Sequence, residues 1–238
     1  MTYREWAAPP ELHALVECGW VSSGPAAPGR VLPDGCMDLI RMDDTILVAG
    51  PDTTAFVTAG SPDTVQGLRF RPGVLPRLLG VPAAEVRNTR VPLAELRRVD
   101  RDRSLVQLAV ALAAEAPRAQ TAPWSLRELA RVTGRLAAGA SVTETSRAAG
   151  WSNRTLQRHC TAVYGYGPVT LRRILRFRRA VRLLEAGLEP AVVAARTGYA
   201  DQPHLHREVR SLAGVRVRQV ASAANRSTAV PSGSSTVA

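Results

Sequence analysis

One short pattern occurs twice in the C-terminal third of the chain, from Val142 to Arg158 and again from Pro190 to Arg207. In register, Gly150 aligns with Gly198, Trp151 with Tyr199, Leu156 with Leu205, Arg158 with Arg207, and Gly165 with Gly214. Each copy reads as a helix, a tight turn and a second helix. Two helices that meet at a steep angle need a corner residue free to take positive φ, which the aligned glycines supply. The aromatic that follows fills the angle, and Ser152 or Asp201 is placed to cap the next helix. That helix then presents Asn153, Arg154, Gln157 and Arg158 in the first copy, and Gln202, His206 and Arg207 in the second. These side chains suit base edges and phosphates in a major groove.

Charge is distributed to match. Residues 1–120 carry 13 Arg against 14 acidic residues, whereas residues 121–238 carry 18 Arg against 6. The whole positive excess of the +11 chain therefore lies in the half with the repeat, as expected if that half meets a polyanion. The chain has no lysine, a bias that a GC-rich coding sequence also produces, but such a bias does not explain an asymmetry between halves. A solvated face is the plain alternative for Arg172, Arg173, Arg176, Arg178, Arg179 and Arg182; beside two turn patterns the polyanion reading is preferred.

With 238 residues and 45% hydrophobic content, a globular protein of one large or two small domains is expected. No leader-like opening and no apolar run of membrane-spanning length occurs, so a cytoplasmic location and no membrane partner are expected. Cys18, Cys36 and Cys160 are scattered and odd in number, which argues against a disulfide framework and a zinc cage. His204 and His206 point to different faces of a helix, so no metal and no cofactor are expected.

The fold class expected is α+β. Residues 1–116 read as a small β-barrel or sandwich with short helices. Its strands are Val31–Pro33, Met37–Met42, Thr45–Ala49, Ala55–Thr58 and Val65–Phe70, separated by turn signals such as Asp34-Gly35 and Asp43-Asp44. Helical spacing then links Leu75, Leu78 and Leu79, Leu93 and Leu96, and Leu105, Leu108 and Leu112. Residues 117–123 form a proline-interrupted linker. Residues 124–221 form an all-α domain: a packing helix near 124–138, the first helix-turn-helix, a long helix near 168–186, and the second helix-turn-helix. Residues 222–238 read as a disordered tail.

The tandem arrangement resembles the DNA-binding domain of AraC/XylS-family transcriptional regulators, from Trp124 to Val220. The resemblance is carried in order by Gly150-Trp151-Ser152, Leu156-Gln157-Arg158, Gly165-Tyr166-Gly167-Pro168, Leu175-Arg176-Phe177-Arg178-Arg179-Ala180, Leu183-Leu184 and Gly198-Tyr199-Ala200-Asp201-Gln202. It implies base contacts from Arg154, Gln157 and Arg158 in the first unit and from Gln202, His206 and Arg207 in the second. Thr145-Ser146 replaces an apolar residue and Ala, which implies looser packing, and Pro203 falls where a helix-opening residue serves structure rather than readout. Cys160 and Val209 occupy positions implied to be core. The first part is similar to the β-rich domain preceding the same module in many actinobacterial regulators, through Val31 to Ile40, Ala49-Gly50-Pro51 and Gly67 to Gly73. A sensing or dimerising role follows from that resemblance.

The function so implied is sequence-specific binding of double-stranded DNA by a transcription regulator, not an enzyme. A small-molecule effector, RNA polymerase contact, and a monomer or homodimer all remain open. The alternative is an architectural protein that coats DNA without sequence choice. A repair enzyme using Cys36 as alkyl acceptor is a weaker rival, because Asp34 and Asp38 are the wrong neighbours for a thiolate. Strand alternation sends Arg69 and Arg71 to one face, where they bind an acidic ligand or, on the simpler reading, are only wetted. Asp34 and Asp38 are a conceivable catalytic carboxylate pair, but Asp34-Gly35 reads first as a hairpin signal.

Overall fold

The computed structural model describes residues 2–24, 29–58, 64–100 and 102–223. The tail expected from residue 222 lies, from 224 onward, outside the described residues. The N-terminal half is built on a six-stranded antiparallel sheet. In chain order its strands are β1 (Thr2–Trp6), β2 (Val16–Ser23), β4 (Met37–Met42), β5 (Thr45–Ala49), β7 (Thr64–Phe70) and β8 (Arg90–Pro92). Their spatial order is β1-β2-β7-β4-β5-β8, so the sheet is open and does not close into a barrel. A separate two-stranded ribbon pairs β3 (Gly29–Val31) with β6 (Phe56–Thr58).

Alternation along β7 explains the layering. Leu68 and Phe70 point to one face and are sealed in the main core, while Val65, Gly67 and Arg69 point to the other. On the core face lie α1 (Leu75–Leu79), α2 (Leu93–Leu96) and α3 (Leu105–Ala113); on the opposite face the ribbon covers a hollow. Trp20 fits over its cross-strand partner Gly67, where any Cβ would come within 2.4 Å of the indole. This close approach is why β7 carries a glycine at its middle.

Two local expectations are corrected. Asp34-Gly35 is not a hairpin: β3 and β4 belong to different sheets, and Asp34 Oδ1 accepts from the Cys36 amide in a side-chain-closed turn. The two-residue hairpin is instead Asp43-Asp44, between Met42 and Thr45. Arg69 is not wetted. It is 2% exposed and carries Glu5 at 3.0 Å, Asp34 at 3.5 Å and Asp38 at 3.7 Å, whereas Arg71 lies exposed and donates to the His13 carbonyl.

The C-terminal half is all helical: α4 (Leu126–Ala137), α5 (Val142–Ala148), α6 (Asn153–Tyr164), α7 (Pro168–Glu185), α8 (Pro190–Thr197), α9 (Gln202–Ala213) and α10 (Val217–Ala223). Capping boxes start α4 at Ser125/Glu128 and α5 at Ser141/Glu144, so local chemistry fixes where each of these helices begins. The two halves share one apolar cluster, in which Leu39, Phe70 and Leu75 join Leu156, Tyr164 and Ile174. Within residues 117–123, Thr121 is buried and Arg118 donates to the Gly80 carbonyl at 3.4 Å. Further ties join the halves: Arg77 donates to the Trp124 carbonyl at 2.8 Å, Arg87 to that of Gly165 at 3.1 Å, and the Arg178 guanidinium pairs with Glu17.

Candidate nucleic-acid interface

Each repeat folds as helix, corner and second helix. In the first unit α5 ends at Gly150 with φ 71°, and in the second α8 ends at Gly198 with φ 76°. A Cβ at either glycine meets nothing within 4 Å, so only backbone strain opposes a side chain there. Gly150→Ala and Gly198→Ala should therefore each cost about 1 kcal/mol, read as a shift in urea midpoint without loss of fold. The corners are packed by aromatics as expected. Trp151 stacks on Trp124 with ring centroids 5.2 Å apart, and Tyr199 is buried beneath the Arg176 guanidinium at 4.2 Å.

Ser152 caps α6 by accepting from the Thr155 amide, and Asp201 caps α9 by accepting from that of His204. Leu156, Cys160, Val163 and Tyr164 form the buried stripe of α6; Leu205, Glu208, Val209 and Leu212 form that of α9. The remaining faces hold Arg154, Gln157 and Arg158, and Gln202, His206 and Arg207, all exposed. Among the described residues no salt bridge engages Arg154, Arg158 or Arg207, so their guanidinium groups stand available at the surface.

The predicted residues are not equivalent. Asn153, though exposed, is anchored backwards: its Oδ1 accepts from Ser146 Oγ at 2.6 Å and its amide donates to Thr143 Oγ1 at 3.3 Å. It braces α6 against α5. Ser146 and Thr145 are both sealed inside the first unit, at 2% and 0% exposure, so the polar pair that replaces an apolar one is used in part as an inter-helix bond. Gln157 lies over Gly167, where a Cβ would come within 2.4 Å of its amide nitrogen. Gln202 and His206 face each other one turn apart, with nitrogens 3.4 Å apart. Pro203 sits in the first turn of α9, where its missing amide hydrogen costs nothing. Cys160 and Val209 are fully buried, as core positions should be.

Sequence reasoning missed what holds α9. Glu208, buried on α9, accepts a forked pair of bonds from Arg173 at 2.7 and 3.0 Å, and Arg176 approaches it at 3.5 Å. Part of the arginine row on α7 is thus a clamp on α9. The readable signal was a lone acid at a core-facing position of a basic helix. Burial alone would raise the Glu208 carboxyl, but hydrogen bonding and charge from Arg173, then the charge of Arg176, hold it below the ordinary glutamate range. Its folded value is depressed, so the clamp contributes fully above about pH 4.3 and is lost as pH falls further. Glu208→Gln should cost about 1–2 kcal/mol at neutral pH, discounted because Arg173 is half exposed, and the deficit should shrink in melts below pH 4. Arg178 and Arg182 turn to Glu17 of the N-terminal half, while Arg172 and Arg179 join Arg176 and Arg196 around a basic hollow of about 500 Å³ between α7 and the ends of α4 and α8.

Cys36 is a poor nucleophile here. Burial first, then the Asp34 charge, pushes its thiol up, and its Sγ donates to Glu17 Oε2 at 3.2 Å.

Residues 126–223 match the family described as a helix-turn-helix domain. The C-terminal half is an AraC-type helix-turn-helix domain. DNA binding and transcription regulation are what such a domain serves. Residues 4–92 match a domain of unknown function, DUF6597. The comparison with curated proteins gives no significant match. Among solved structures, ToxT from Vibrio cholerae is similar at TM-score 0.47 and 9% identity, covering 92% of this chain and 98% of that one. ToxT from strain O395 gives 0.46 and 9%, covering 92% and 97%. At that distance neither carries a ligand or an operator across to this chain.

Proposed function

We propose that the AraC-type domain reads two successive major-groove segments of double-stranded DNA, with α6 and α9 as recognition helices, and that the chain regulates transcription sequence-specifically. The single observation behind this is the matched pair of exposed faces, Arg154/Arg158 and Arg207, on helices held by one continuous rod, α7, and a carboxylate clamp. Rigid spacing suits a target of fixed pitch, with readers about 34 Å apart along the duplex. An architectural coat would need the charge but not the registered readers. Arg158 and Arg207 are assigned to base edges, Arg154 to bases or the adjoining phosphates, and Gln202 and His206 to base edges. Asn153 serves positioning, and Gln157, drawn onto Gly167, is the weaker of the first unit's readers.

Residues 1–116 are assigned a sensing role, with the boundary at 117–123. Support comes from the ties between halves: the Ala55 amide donates to the Leu212 carbonyl at the end of α9 at 2.7 Å, and Glu17 pairs with Arg178 on α7. Changes in the first half thereby reach the rod and the second reader directly. Both readers lie on one chain, so a monomer suffices for a bipartite site. Equilibrium competition tests the reading. A selected site should be bound about a thousandfold or more tighter than unrelated DNA, with affinity falling steeply with salt. Equal affinity for both would favour the architectural alternative.

A further inference from the structure

We propose that the hollow between the ribbon β3–β6 and the six-stranded sheet is a binding site for an apolar organic amine. The hollow measures about 410 Å³, within the range of small-molecule pockets. Its walls are largely apolar, from Trp20, Ile40, Leu47, Phe56 and Val65 among others. Such a lining receives a hydrocarbon or aromatic body.

Its polar end selects the sign of the ligand's charge. Glu5, Asp34 and Asp38 share the single guanidinium of Arg69. Arg69, which Asp34 and Asp38 of the lining share with Glu5 outside it, is therefore occupied and has little to offer an anion. The other charged groups near the hollow are engaged with partners of their own. Asp52 and Arg90 form a forked pair at 2.6 and 3.0 Å, with Arg90 over the Phe56 ring. Arg30 turns away to the Ala213 carbonyl at 3.4 Å, and Arg178 and Arg182 both pair with Glu17. Asp38 is the least satisfied. Its Oδ2 accepts one bond from Trp20 Nε1 at 2.9 Å, and its nearest cation is Arg69 at 3.7 Å, which leaves lone pairs unused. Ser22 Oγ, buried and without a hydrogen-bond partner, lines the other end of the hollow: its neighbour on β7 is Val65, four residues from Arg69, the neighbour of Asp38. An ammonium group beside Asp38 has three donors to give to its open lone pairs. Burial pushes the Asp38 carboxyl up to about 6 against the pull of Arg69, in keeping with an under-solvated acid.

The site also has an outlet. Its roof is the ribbon, and residues flanking the ribbon are fixed to α9: Ala55 through the Leu212 carbonyl, Arg30 through that of Ala213, and Leu32 within the second unit's apolar cluster. An occupant that shifts the roof therefore shifts the second recognition helix. This consequence, unlike the site itself, rests on the regulator reading above.

The test uses the full chain and three matched probes: 4-phenylbutylamine, 4-phenylbutanol and 4-phenylbutyrate. The amine should raise the melting temperature and change tryptophan fluorescence, with the alcohol about tenfold weaker and the acid inert. Asp38→Asn should abolish the preference for amine over alcohol, and Ser22→Ala, at the other end of the hollow and outside the charge cluster, should leave that preference intact. Binding of the acid as well as the amine, binding of no probe, or an unchanged amine preference in Asp38→Asn would overturn the proposal. DNA affinity is scored separately on a selected site. A change of at least severalfold with amine is expected, and none would overturn the coupling through the ribbon. Absence of DNA binding by the probe-free chain would sink the regulator reading while leaving the binding-site result intact.

Discussion

Arg158→Ala and Arg207→Ala should each weaken binding to a selected DNA site by about tenfold to a hundredfold, the equivalent of about 1–3 kcal/mol for a forked contact to guanine. The size follows from geometry. Both side chains are exposed, and neither is held in a salt bridge among the described residues, so each meets its target without first breaking a bond within the protein. The two losses should also differ in kind from that of a phosphate contact. A base reader relaxes preference at one position of the site, whereas a phosphate contact weakens all sequences alike and lowers the salt dependence. Titrations of each variant against single-base substituted sites separate the cases. Uniform weakening would reassign the residue to the backbone, and no weakening would remove it from the interface. Because the substitutions lie on exposed helix surface, melting temperature should hardly move.

Arg69→Met should be the most destabilising of the polar substitutions, costing about 3–5 kcal/mol of a total typically near 5–15 kcal/mol. The cation is 2% exposed and three carboxylates converge on it, so its removal leaves buried negative charge with no compensation. Methionine replaces the volume but not the charge. The deficit should depend on pH. Asp38 already has its carboxyl pushed up to about 6 by burial, with Arg69 the main force opposing that rise. Without the guanidinium its proton is held more tightly still, so the variant's carboxyl is neutralised above pH 6 and the deficit shrinks as pH falls toward 6, levelling off once the parent's own Asp38 is protonated. Urea unfolding at pH 7.5 and pH 5 checks both the size and the sign. A loss under about 1 kcal/mol at pH 7.5 would show that the cluster is relieved by other means.

What could be read from the sequence was whatever local chemistry writes. The corners at Gly150 and Gly198, the caps at Ser152 and Asp201, and the rod from Pro168 all fall where residue spacing placed them. The strands Met37–Met42 and Thr45–Ala49 were legible to the residue because both are short apolar runs bounded by turn signals. Less legible were β1, β2 and β8. Thr2–Trp6 and Val16–Ser23 mix charged, glycine and aromatic residues without clean alternation, and they become strands only by pairing with β7 and with each other. Arg90–Pro92 is an edge pairing of three residues. Non-local electrostatics were the least visible. Nothing near Arg69 in sequence announces Glu5, which is 64 positions away, and nothing near Arg173 announces Glu208. Side chains with local partners were thus predictable, and those whose partners arrive by folding were not. The same distinction separates Arg158, exposed as expected, from Asn153, whose bonds to Thr143 and Ser146 depend on how α5 meets α6.

The most direct test of the central claim is selection from random double-stranded oligonucleotides with the full chain, followed by the same selection with Arg158→Ala and Arg207→Ala. A rigid pair of readers predicts a bipartite motif whose halves lie about 10 base pairs apart, with each variant losing information in one half only. Recovery of no motif, or of one whose two halves both survive both substitutions, would contradict it.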